Sequence, residues 1–160
     1  MDLIVQKAVE IGAAEIAPIL SDRTVVRLDE ESALSKQAKW QTVAIEAAKQ
    51  CGQNWLPQVQ PPRSLAQFFQ EHGHFDLQLI GSLQSDAVHL KKILAEYSAE
   101  HGDRPASVLM LVGPEGDFTP AELSLARSQS CQPITLGPIV LRVETAAIYC
   151  LSVLSYELLV

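Results

Sequence analysis

One short arrangement, used twice, constrains this chain more than any other feature. An apolar run ends in a Gly-Pro turn and the chain restarts within a few residues as a helix. The first copy is SVLMLVGPEGDFTPAEL, residues 107–123, and the second is PITLGPIVLRVETAA, residues 133–147. In the first, Thr119 is placed to cap a helix, Pro120 suits the first helical position, where its missing N–H has no partner to lose, and Glu122 completes a capping box. The all-apolar run before the turn predicts a strand buried on both faces, as in a parallel sheet. A loop at the carboxyl end of such a strand is where ligands bind in open α/β sheets. The turn is not a phosphate loop, because GPEGDFT has no lysine, and it lacks the G-x-G-x-x-G of a dinucleotide site. Taken alone, its glycines are equally explained by a tight turn that needs a positive φ. The second Gly-Pro turn shifts that balance. Two such turns on successive strands are expected side by side at one sheet edge, where they can close over a flat ligand and offer it backbone N–H and C=O groups.

The rest of the chain repeats the alternation of helical and strand periodicity. MDLIVQKAVEIG reads as a helix stopped by Gly12, EIAPIL as a short strand, and residues 32–51 as a longer helix ending before Gly52. Ala33, Leu34, Ala38, Trp40, Val43, Ala44, Ala47 and Ala48 drift round one face of that longer helix. SLAQFFQEHG predicts a short helix, FDLQLIGS a strand, AVHLKKILAEYSAE a helix, and residues 144–159 a final helix. The sum is one α/β domain with a mostly parallel sheet. At 160 residues and 48% hydrophobic composition, the chain is long enough to bury a substantial core. Cys51, Cys131 and Cys150 are odd in number and lack metal-type spacing, which argues against a disulfide framework and for a reducing, cytoplasmic setting. The most apolar stretch, AAIYCLSVLSYELLV, falls short of the ~20 residues of a membrane span. A net charge of −7 argues against a general nucleic-acid surface.

The pairing of LVGPEGDFTPAEL with LGPIVLRVETAA resembles the SPOUT-class RNA methyltransferases, most closely the RsmE family, which methylates N3 of a uridine in 16S ribosomal RNA. DLIVQKAVEIGAAEIAPILSDRTVV is similar to the opening of that family's catalytic domain, and AIEAAKQCGQNWLPQV to its second signature. The resemblance implies an α/β knot with a C-terminal trefoil threading, an exception to the rule that chains do not thread loops. It also implies a homodimer and bound S-adenosyl-L-methionine. By matching, the cofactor pocket would comprise Ile80 and Gly81, Leu111, Val112, Gly113, Pro114, Glu115 and Gly116 at the first turn, and Leu136, Gly137, Leu141 and Arg142 at the second. Full-length members carry an N-terminal PUA-like RNA-binding domain, so residues 1–160 read as the catalytic domain alone, with 16S rRNA or the small subunit as partner. The chain departs from the family pattern at Ile139, where a basic residue is usual, at Val143, and at Gln53, where arginine is common. These losses are expected to weaken RNA contact more than cofactor contact.

Methyl transfer to uridine N3 needs the nitrogen to shed a proton and spread negative charge onto O2 and O4, and a guanidinium can stabilise that charge with paired donors. Arg142 is the candidate, with pairing to Glu144 or capping of a carbonyl as its ordinary alternatives. Glu144 can orient Arg142, act near the sulfonium, or favour its own helix start through the macrodipole. Glu115, a carboxylate in a tight loop, needs a partner, and one across a dimer is conceivable. His72, His74, His89 and His101 read as surface residues, and no metal site is expected. Trp55 is expected in the interior, with base stacking as the alternative. Lys7, Arg23, Arg27, Lys36, Lys39, Lys49 and Arg63 predict a locally cationic N-terminal part. A different RNA such as transfer RNA, or a non-catalytic cofactor-binding dimerisation module, would use the same two turns.

Overall fold

The computed structural model describes residues 1–23, 28–114 and 117–158. Among the described residues, six helices alternate with short strands: α1 Asp2–Ile11, β1 Glu15–Ile16, α2 Glu30–Cys51, β2 Gln58–Val59, α3 Leu65–Glu71 and β3 Leu77–Gly81. They continue as β4 Val88–His89, α4 Leu90–His101, β5 Val108–Leu111, α5 Pro120–Ser128, β6 Gln132–Thr135 and α6 Val143–Leu158. Every described strand pair is parallel. The main sheet runs β4-β6-β3-β5, and β1-β2 forms a separate small one. This is the expected α/β class, and the last strand in sequence is inserted between two earlier ones, in accord with a C-terminal knot.

That order corrects two expectations. β5 and β6 are not adjacent, because β3 lies between them; the two Gly-Pro turns therefore flank the end of a third strand. The strand buried on both faces is β3, not β5. Leu77 and Leu79 pack with Leu90, Ile93, Leu94, Ile134, Cys150 and Leu154 on one side, while Ile80 packs with Leu65, Leu111, Phe118, Leu123, Ala126 and Cys131 on the other. As an edge strand, β5 leaves Val108, Leu109 and Met110 only half-buried. Each fully buried aliphatic chain in these layers contributes about 2 kcal/mol.

A third cluster joins α1, α2 and β2 through Val5, Val9, Trp40, Ala44, Ala47, Ala48 and Val59. Trp40 reaches this core while its indole N–H donates to Asp2 at 3.1 Å. The apolar face expected along α2 is only partly buried, since Leu34 is 60% exposed and Ala38 is also exposed. α2 starts two residues earlier than the sequence pattern places it, because Asp29 accepts from the Ser32 amide at 2.8 Å and is the cap. Trp55 is not in the interior but 53% exposed.

The expected cationic character of the N-terminal part is not realised. Seven cations share residues 1–63 with eight carboxylates. Lys7, Lys39 and Lys49 are paired with Glu10, Asp2 and Glu46 at 2.6–2.8 Å, and Arg63 pairs with Glu71. Arg27, from the same set, lies outside the described residues. Gln53 has a structural task, its side-chain amide donating to the Val9 carbonyl at 3.1 Å near the end of α1.

Candidate functional site

The carboxyl ends of β3, β5 and β6 converge on a small cavity of about 80 Å³. Gly81 ends β3 and Ser82 and Leu83 follow it, Val112, Gly113, Pro114 and Asp117 follow β5, and Thr135 ends β6 with Leu136, Gly137, Ile139, Val140 and Leu141 after it, with Val143 and Ala146 of α6 at the side. A larger, mainly apolar cleft of about 420 Å³ adjoins it, and the two share Val112, Gly113, Pro114 and Val143 as a common wall.

The first turn is fixed by its own helix start. Thr119 caps α5 by accepting from the Glu122 amide at 3.3 Å, and the Glu122 carboxylate accepts from the Thr119 amide at 2.8 Å, the reciprocal box expected from the sequence. Glu122 does more than cap. It is 8% exposed and also accepts from the Ser21 hydroxyl and the Asp22 amide, each at 3.1 Å, joining a segment 100 residues earlier to the base of the turn. Burial alone would raise its pKa. The bonds from the Thr119 and Asp22 amides and the Thr119 and Ser21 hydroxyls outweigh that and hold the carboxyl below its ordinary value.

Gly113 is required for space. A Cβ there would stand 3.0 Å from two ring carbons of the buried Phe118, and Gly113 is not among the glycines with positive φ. Gly137 is the reverse case, with φ +127° and nothing within 4 Å of an added Cβ. Gly137 N–H donates to the Thr135 hydroxyl at 3.3 Å, and that hydroxyl donates back to the Gly137 carbonyl at 3.2 Å.

Of the residues matched to a cofactor pocket, Gly81, Val112, Gly113, Pro114, Leu136, Gly137 and Leu141 line the small cavity. Leu111 faces the larger cleft, and Ile80 is fully buried behind it in the core. Glu115 and Gly116 lie outside the described residues. Arg142 lines neither cavity; it sits exposed between two residues that do, and its carbonyl accepts from the Ala146 amide at 2.8 Å in the first turn of α6. Among the described residues Arg142 and Glu144 form no ion pair, so the simple pairing of one with the other is not realised. Asp117, Ser82, Leu83, Ile139 and Val140 were not foreseen as lining residues. The available signal was their position, immediately beside the matched turns. Cys131 and Cys150 are buried structural thiols, pushed up to about 12 by burial. His72 is half-buried, stacked on Phe68 and 2.8 Å from Glu15, and His89 caps α4; neither approaches the cavity. Among the described residues no acidic, Cys or His cluster suits a metal, and no helix is long and apolar enough to cross a membrane.

Three parallel strands ending in glycine turns around one cavity define a ligand-binding α/β domain. Comparison with known proteins gives it a family. Residues 1–155 match the RNA methyltransferase domain family. The ribosomal RNA small subunit methyltransferase E of Bacillus subtilis is 35% identical over 159 residues, covering 98% of this chain and 61% of that protein. The protein of that name from Synechocystis is 32% identical over 144 residues, with 89% and 45% covered. Among solved structures, the same enzyme from Neisseria gonorrhoeae bound to S-adenosyl methionine superposes with a TM-score of 0.82 at 32% identity, covering 98% of this chain and 61% of that one. A methyltransferase from Legionella pneumophila in complex with SAM gives 0.84 at 35% identity, with 98% and 60% covered. The chain belongs to the RNA methyltransferase domain family. It spans about three-fifths or less of the length of these relatives.

Proposed function

We infer that the protein is an S-adenosyl-L-methionine-dependent methyltransferase acting on N3 of a uridine in 16S ribosomal RNA. The supporting observation is the cavity at the ends of β3, β5 and β6, lined in part by residues that the sequence resemblance assigns to the cofactor pocket. The lining suits the cofactor on its own chemistry. Apolar side chains at Leu136, Ile139, Val140 and Leu141 can hold a flat purine, the glycine backbones permit close approach, and the one ionisable side chain among the described lining residues, Asp117, is compatible with a cationic ligand. When bound, the cofactor supplies an electrophilic methyl group on a sulfonium.

The chain's own contribution is positioning and charge. Arg142, held beside the cavity by its neighbours Leu141 and Val143, has a guanidinium with no ion pair among the described residues and presents a donor fork to the charge that develops on the uracil oxygens. Glu144, in the first turn of α6, favours the helix start. The adjoining larger cleft gives the acceptor base a separate approach to the wall shared with the cofactor cavity. The reading includes a homodimer through α6, whose Tyr149 and Tyr156 are 42% and 74% exposed, and action in the cytoplasm on the small subunit. With 12 cations against 19 anions, most of the grip on RNA phosphates must come from a further, N-terminal domain.

The test is methyl transfer from labelled cofactor to small ribosomal subunits, naked 16S rRNA and transfer RNA, followed by nucleoside mass spectrometry. N3-methyluridine in the ribosomal substrates is the expected product. Label in transfer RNA alone would move the protein to another substrate, and cofactor binding without transfer to any RNA, even with the full-length protein, would make it a binding module.

A further inference from the structure

Asp117 follows the first Gly-Pro turn and has a backbone conformation that non-glycine residues seldom adopt, φ +63°. Such a conformation costs of order 1 kcal/mol or more and persists where the surroundings impose it. The surroundings here are specific. One carboxylate oxygen accepts from the Leu83 amide at 3.2 Å, in the loop after β3, and the other accepts from the Phe118 amide at 2.8 Å. The Asp117 amide donates to the Pro114 carbonyl at 2.9 Å, which closes the turn, and its carbonyl accepts from the Arg23 guanidinium at 3.4 Å. Leu83 and Asp117 belong to loops after different strands on the rim of the cavity, and the Asp117 carboxylate bonds across from one to the other.

We propose that Asp117 is a positioning residue that clasps the turn after β5 to the loop after β3 and so sets the width of the cofactor cavity. The proposal rests on the reading of that cavity as the cofactor site. Glycine would relieve the backbone at this position but remove the clasp; asparagine tolerates the left-handed region and retains one acceptor oxygen. Nothing in the helix start depends on the Asp117 side chain, because Thr119 and Glu122 complete that box themselves. Fold stability and cavity geometry can therefore be separated.

The experiment compares wild type, Asp117→Gly and Asp117→Asn by calorimetry with S-adenosylmethionine, by melting temperature, and by hydrogen exchange of the Leu83 amide without ligand. The expected result is about tenfold weaker binding for Asp117→Gly, the scale of one lost charge-assisted hydrogen bond. Its melting temperature should fall only modestly, because relief of φ offsets part of the loss of the bonds from the Leu83 and Phe118 amides, and its Leu83 amide should exchange faster. Asp117→Asn should recover part of the affinity. Equal affinity in wild type and Asp117→Gly, or unchanged Leu83 exchange, would overturn the proposal. Absence of binding by wild type would sink the cofactor reading itself, and the clasp would then stand or fall on Leu83 exchange alone.

Discussion

The two Gly-Pro turns have the same spelling and opposite physical reasons. Gly113 is glycine because a ring occupies the place of its side chain; Gly137 is glycine because its backbone occupies a region closed to others, with open space around it. The first turn is braced on several sides. Phe118 is buried beneath it, Asp117 ties it to the loop after β3, and the Thr119–Glu122 box, reinforced from Ser21 and Asp22, fixes the helix that follows. The second turn is bare. Ile139 and Val140 are 70% and 66% exposed, and a hydroxyl from Thr135 is its main polar support. The difference teaches a division of labour: one wall of the cavity is built in advance, while the other presents apolar side chains to whatever enters.

If that division is correct, the largest effect on turnover should come from the bare turn. Arg142→Ala should lower methyl transfer by roughly 10²-fold, the scale for losing one donor to developing charge, with cofactor affinity changed far less. Turnover within a few-fold of wild type at saturating RNA would return Arg142 to a structural role.

The glycines themselves sharpen the contrast. Gly113→Ala and Gly137→Ala should each destabilise by about 1–3 kcal/mol, the first by overpacking and the second by backbone strain. A second substitution tells them apart: Phe118→Leu should recover part of the Gly113→Ala loss and none of the Gly137→Ala loss in denaturant titrations. Equal rescue of both, or of neither, would erase the distinction.

Much of the braced turn was legible in the sequence. Thr119, Pro120 and Glu122 occur at the spacing of a helix start, a local rule that needs no tertiary information, and the geometry follows it. Gly12 as the stop of α1 is of the same kind, with φ +99°. What was not legible depends on pairing between distant segments. Parallel strand order has no local signature, so β5 reads like a central strand although the sheet places β3 there, and the short β2 and β4 do not announce themselves. The second task of Glu122 is invisible for the same reason, since its partners lie at Ser21 and Asp22. Trp55 shows the limit of residue type as a guide to burial: an aromatic ring expected inside lies in the loop between α2 and β2 and stays exposed.

Two smaller effects belong to the brace. Thr119→Ala should cost about 1 kcal/mol, as for loss of an N-terminal cap, and Thr119→Ser should restore most of it. Glu122 has a folded pKa below its ordinary 4.5, so its ionised form stabilises the fold fully above that value, and this part of stability is lost as pH falls through the lower folded value. Glu122→Gln should be less stable at neutral pH and should flatten the stability curve below about pH 4.5. An unchanged acid limb would remove Glu122 from the account.

The claim on which everything else depends is that the strand ends of β3, β5 and β6 enclose a cofactor site. Calorimetry of the chain with S-adenosylmethionine, run beside Gly113→Val, addresses it directly. The account predicts one site per chain for wild type and none measurable for Gly113→Val, because the larger side chain forces the Phe118 ring or the turn out of place. No heat from wild type up to millimolar cofactor, or equal binding by the variant, would contradict it.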